Sequence, residues 1–125
     1  MTLKRLPAPL IRFGPAALIM VAIFAFSSTP SSNLPNFGGW DWVAKKGAHA
    51  LGYAMLGAAY TQALAPGRPL TLRNGLIAIA LAALYATSDE WHQSFTVGRH
   101  PAWTDVAIDT VGATVGVVAM RWVRP

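Results

Sequence analysis

The sequence predicts an all-α polytopic membrane protein, a bundle of four transmembrane helices with both termini on the cytoplasmic side. Three observations predict it. Of the 125 residues, 54% are hydrophobic and only 12% are charged, against about 45–50% and about 25% in soluble globular chains. The apolar residues are gathered into four stretches that hold almost no charge. Short segments rich in Gly, Pro, Ser and Asn separate those stretches, and such segments break helices. High apolarity with low charge excludes a disordered chain. The absence of cysteine excludes disulfides, thiolate zinc sites and cysteine nucleophiles. At this length a single domain, 1–125, is expected.

The first helix is expected near 10–28, where the apolar part reads FGPAALIMVAIFAF. Lys4, Arg5 and Arg12 precede it, and Ala25-Phe26-Ser27 offers a small-x-small sequence, so a cleaved signal peptide is the rival reading of this span. The second helix is expected near 42–64, with His49 the single titratable group from Gly47 to Gly67. That stretch meets outright the roughly 20 mostly apolar residues a crossing requires. The third is expected near 72–94 and the fourth near 103–122. Both are short unless their polar ends lie inside the outer leaflet. A soluble bundle would need hydrophilic outer faces, and segments such as LIAIALAALYA are apolar all round.

Basic residues set the orientation. With the N-terminus inside, Lys4, Arg5, Arg12, Arg68, Arg73, Arg121 and Arg124 lie on the inner side, and Lys45, Lys46 and Arg99 on the outer. All five acids and all three histidines fall towards the outer side. The net charge of +5 therefore reads as anchoring to the negative inner leaflet. No basic stripe with interleaved aromatics points to nucleic acid.

Three polar residues reach one depth. His49, Asp89 and Asp109 each lie six residues inside the outer end of their helix, about 9 Å at the α-helical rise. Ionisable groups in a membrane are costly and face the bundle interior or a water-filled cavity. A shared polar pocket in the outer leaflet follows. Helical spacing puts Lys46, His49, Tyr53, Leu56 and Tyr60 on one face of the second helix. It puts Tyr85, Asp89, His92 and Gln93 on one face of the third, with Glu90 about 100° away. On the fourth, Asp105 and Asp109 share a face with Gly112 and Gly116, a G-x-x-x-G pair suited to close helix approach. Gly52 and Gly57 are candidates for the same work on the second helix. Trp40, Trp42, Trp91 and Trp103 read as an interfacial belt.

Each polar residue also has a structural reading. His49 can simply tie helices together, Arg99 can neutralise Asp105 or Glu90, and Lys45 and Lys46 can snorkel. The adjacent acids Asp89 and Glu90 favour function, because two carboxylates in one span are expensive for packing alone. His49, Asp89, Glu90, His92, His100, Asp105 and Asp109 offer N and O ligands, but no H-E-x-x-H or comparable spacing is present, and no metal or cofactor is expected. Neither a nucleophile elbow, a P-loop nor a dinucleotide fingerprint occurs.

From Asp89 to Gly116 the chain reads DEWHQSFTVGRHPAWTDVAIDTVGATVG. This run resembles the signature of the VanZ-like membrane proteins, matched at Asp89, Glu90, Gln93, Phe95, Gly98, Arg99, Asp105, Asp109, Gly112 and Gly116. The segment KKGAHALGYAMLG is similar to the family's second motif at Lys46, His49, Tyr53, Leu56 and Gly57. Lys45 stands where that motif usually has Asp, which leaves a carboxylate role there to Asp41, one turn earlier. The resemblance covers about 45–121. It implies a small multi-pass protein of the bacterial cytoplasmic (inner) membrane and an association with resistance to teicoplanin-type glycopeptides.

The expected function is binding. An outer-leaflet pocket of Lys46, His49, Tyr53, Asp89, Glu90, Gln93, Arg99, Asp105 and Asp109 would hold an envelope lipid headgroup, a lipid-linked precursor or an anionic wall polymer, with Arg99 and Lys46 on the anion. Two alternatives stay open. One is a membrane enzyme acting on a lipid-linked substrate, with Asp89 or Glu90 as general base and His49 as acid or orienter. The other is a proton-linked transporter or flippase subunit using Asp89 and Asp109, which would need an oligomer.

Overall fold

Backbone chemistry places the helix ends. Thr71 opens one helix as an N-cap, its hydroxyl accepting from the Asn74 amide at 3.1 Å, which satisfies one of the free amides of the first turn. Gly67 and Gly98 take φ of 65° and 76° in the two short connections, a left-handed conformation that favours glycine. The resulting helices are α1 (Ala8–Ser28), α2 (Asp41–Leu64), α3 (Leu72–Gln93) and α4 (Trp103–Val123), with a short 3-10 turn, Gly38–Trp40, leading into α2. This is a computed structural model that describes residues 8–30, 33–100 and 102–123. No strand occurs among the described residues. The expected bounds hold to within two residues. Lys4, Arg5 and Arg124, used in the sequence reading, lie outside the described residues.

Neighbours in sequence run antiparallel. Arg12 of α1 reaches the Ala63 carbonyl at the far end of α2, while Phe26 meets His49 near its beginning. α3 returns against α2, and α4 runs parallel to α2. The α2–α4 contact is the most extensive, and among the described residues the backbones of α1 and α4 do not come close. Small residues make the α2–α4 seam. A Cβ added to Gly112 would overlap the Ala50 carbonyl, one on Gly116 the Ala54 carbonyl, and one on Gly57 the Ala113 carbonyl. The G-x-x-x-G pair of α4 thus admits α2 at backbone contact. Gly57 contributes as expected. Gly52 does not: a Cβ there would meet only the Ile23 side chain, at 3.5 Å.

The core is thin and small-residue rich. Ala78, Ala82 and Ala86 recur at i, i+4 along α3 and are fully buried beside Tyr53, Leu56 and Ala113. Met20 of α1 receives two tyrosines. Tyr85 donates to its carbonyl at 2.6 Å, and the Tyr60 hydroxyl lies 3.2 Å from its sulfur.

The burial pattern is inverted relative to a water-soluble protein. Leu18 is 73% exposed and Leu84 68%, whereas Asp109 is 1%, Asp89 4% and Glu90 6% exposed. Two helices, α1 and α4, are long and apolar enough to cross a membrane by length and composition. α2 and α3 carry the polar clusters DWVAKKGAH and TSDEWHQ at one end each, which lowers their apolarity.

Candidate functional site

The polar residues gather at one end of the bundle, where α1 and α3 finish and α2 and α4 begin. Asp89 and Asp109 approach His49 from two different helices. His49 Nδ1 lies 3.9 Å from Asp89 Oδ2 and 3.6 Å from Asp109 Oδ2. Both separations exceed a hydrogen bond. Tyr53, one turn below His49, donates its hydroxyl to Asp89 Oδ2 at 3.2 Å. Asp109 Oδ2 is fully buried and has no hydrogen-bond partner, an arrangement that costs about 1–3 kcal/mol or more for a charged group.

The neighbouring acids have separate tasks. Glu90 turns towards α4 and accepts from the Ala102 amide at 3.0 Å, at the positive end of the α4 dipole. Asp105 is paired with Lys46 of α2. Asp41 and Lys45 form an i, i+4 pair at 2.8 Å, so a carboxylate one turn before Lys45 does stand against it. Gln93 donates to the Ser27 hydroxyl at 3.3 Å. His92, which shares the Asp89 face by periodicity, instead stacks on Phe24 at 4.4 Å between centroids and pairs with the Ser28 hydroxyl at 2.8 Å.

Arg99 is held differently from its expected anion-binding pose. Its Nη2 donates to the Phe26 carbonyl at 2.8 Å and its Nε to the Thr29 carbonyl at 3.2 Å. These carbonyls lie in the last turn of α1 and just beyond it, the Phe26 carbonyl also accepting from the Thr29 amide at 3.2 Å, and the guanidinium stands 5.2 Å from the Phe26 ring centroid. Burial pushes its pKa down from the ordinary value, against the opposing charges of Asp89 and Glu90. The guanidinium nonetheless stays charged.

Three spaces surround this cluster. A polar void of about 30 Å³ is lined by Lys46, His49, Glu90, Arg99 and Asp109, among others, room for a water or two. Lys45, Lys46, Gln93, Arg99 and Asp105 also line a wider cleft of about 470 Å³ that continues to Asn36, Asp41 and His100 at the bundle end. On the other side, Glu90 borders a lateral groove of about 540 Å³ with Leu84, Trp91, Ala102 and Trp103. From sequence, Asp41 reads only as a motif carboxylate, Lys45 only as a surface anchor and His100 only as a candidate ligand, and none of these three rim residues as part of the pocket. Asn36 was missed because it lies in a connection, where periodicity carries no signal. The α1 hydroxyls Ser27 and Ser28 were missed because that stretch reads as plain apolar span.

A family model described as VanZ/LLP1 matches residues 12–124. Comparison with curated proteins and with solved structures gives no match.

Proposed function

We propose a function from one premise: the chain belongs to the VanZ/LLP1 family. In this reading it is a four-span protein of the bacterial cytoplasmic membrane, N-in and C-in, that binds an anionic envelope lipid or lipid-linked wall precursor from the outer leaflet. Through that ligand it contributes to teicoplanin-type glycopeptide resistance.

Exposed apolar side chains on all four helices support the crossings: Leu18 and Val21, Leu51 and Met55, Leu76 and Leu84, Val111 and Val115. Helix hydroxyls support them too. Thr87, Thr110 and Thr114 each donate to the carbonyl four residues earlier, so they need no water. Arg68, Arg73 and Arg121 lie at the end opposite the acids, in keeping with the inside rule for basic residues.

The observation that carries the ligand reading is the position of Glu90 between two unlike spaces. On one side is a polar cavity leading to Lys45, Lys46 and Arg99, and on the other an apolar groove open along α3 and α4. An amphipathic molecule needs such a pair: cations for its headgroup phosphate and an apolar channel for its chain. Purified protein offered vesicles of phosphatidylglycerol and of phosphatidylcholine should retain the anionic lipid preferentially in native mass spectra. Lys46→Gln should remove the preference. Equal retention of both lipids by the wild type would sink the reading. In a Gram-positive host, wild type but not Lys46→Gln at matched expression should raise teicoplanin tolerance.

A second reading is favoured by one feature, the suspension of His49 between two buried carboxylates beside a water-sized void. That geometry suits acid–base work on a lipid-linked substrate. It predicts a covalent change in envelope lipids that disappears with Asp109→Asn.

A further inference from the structure

The cluster of His49, Asp89 and Asp109 has a property that headgroup binding does not use. Their ligand atoms, one nitrogen and two oxygens from three different helices, all lie within 4.8 Å of one another. Neither carboxylate is closed onto the imidazole by a hydrogen bond: His49 Nδ1 stands 3.6 Å from Asp109 Oδ2 and 3.9 Å from Asp89 Oδ2. The Asp109 oxygen aimed into the gap is 99% buried by residue and has no partner. We propose that this gap is a binding site for one divalent first-row cation, of the zinc or manganese type.

Geometry supports the assignment. Metal–nitrogen and metal–oxygen bonds of about 2.0–2.2 Å place tetrahedral ligand atoms about 3.4 Å apart. The two His49–carboxylate separations need to close by about 0.2 and 0.5 Å, and the two carboxylates, which lie within 4.8 Å, by up to about 1.4 Å. One imidazole and two carboxylates form a mixed donor set that suits borderline cations better than calcium or magnesium. The adjoining void of about 30 Å³, lined by both His49 and Asp109, gives a fourth position to water, as in three-ligand metal sites. The Tyr53 hydroxyl on Asp89 would orient that carboxylate from the outer sphere.

Charge leads the same way. Four buried acids, Asp89, Glu90, Asp105 and Asp109, face two cations, Lys46 and Arg99, because Lys45 is paired with Asp41. Lys46 and Arg99 do not occupy the gap, since Lys46 is drawn to Asp105 and Arg99 to the α1 carbonyls. An ion can enter from the cleft, which shares Lys46, Arg99 and Asp105 with the void.

The site stands on this geometry and not on the lipid reading, and its test involves no lipid ligand. Full-length protein in detergent micelles, stripped with chelator, would be titrated with Mn²⁺ and followed by electron paramagnetic resonance, with Zn²⁺ in competition. The expected result is one Mn²⁺ per chain with a nitrogen coupling in the pulsed spectrum. His49→Gln should lose the nitrogen coupling, and Asp109→Asn should weaken binding at least tenfold. A Tyr60→Phe control, below the site, should bind as wild type. The melting temperature of the wild type should rise with metal and that of Asp109→Asn should not. Absence of stoichiometric Mn²⁺ or Zn²⁺ binding to the wild type would overturn the proposal, whatever the variants do. So would a nitrogen coupling that persists in His49→Gln.

Discussion

Arg12 and Arg99 meet one requirement at opposite ends of the bundle. Helices end with carbonyls that need donors from outside the helix; Arg12 gives two N–H groups to the Ala63 carbonyl of α2, and Arg99 gives one to the Phe26 carbonyl in the last turn of α1 and one to the Thr29 carbonyl just beyond it. Arg12→Ala should therefore lower stability by about 1.5–3 kcal/mol, the range for hydrogen bonds to a charged group, read as a fall in melting temperature in micelles. Tyr85→Phe removes only a neutral donor to the Met20 carbonyl and should cost about 1 kcal/mol. The depth of His49, Asp89 and Asp109 was legible because helical rise is a fixed length. The pose of Arg99 was not. Sequence shows an arginine near carboxylates, but the competing carbonyls of α1 exist only once that helix has ended beside it.

At the scale of the element, the α2–α4 seam is decided by residues with no side chain to speak of. Gly116→Leu must push the Ala54 backbone aside, and overpacking of this kind costs about 1–3 kcal/mol, with backbone clashes at the upper end. Gly52→Ala is the contrasting case. Its new methyl meets only the flexible Ile23 side chain at 3.5 Å, so the gain of about 0.5–1 kcal/mol from helix propensity should raise the melting temperature. The G-x-x-x-G spacing made the α4 face legible in advance. Its partner was not legible, because spacing reports a close approach without saying which helix makes it. Gly52 and Gly57 lie five residues apart, about 140° round the helix, so one faces Ile23 of α1 and the other Ala113 of α4.

For the whole molecule, buried acids beside exposed leucines and two helices apolar enough to cross suit a membrane, and the direction proposed above rests on where the arginines lie. The chain has no cysteine, so a single introduced thiol is unique. Asn36→Cys and Val97→Cys should react with a membrane-impermeant maleimide in intact cells, and Gly67→Cys only after permeabilisation. The reverse pattern would invert the topology. The parallel seam of α2 and α4 also bears on how the chain is made. Lys46 and Asp105 are 59 residues apart. At about 5–20 residues per second, α2 waits on the order of 3–12 s at the ribosome's exit before its counter-charge exists. During that interval its lysine and histidine have no acid from α4, and α3 arrives with two carboxylates of its own. On the four-span reading proposed above, a nascent chain stopped after α3 should therefore stay beside the insertion machinery or be cleared by membrane proteases, and release should come only with α4.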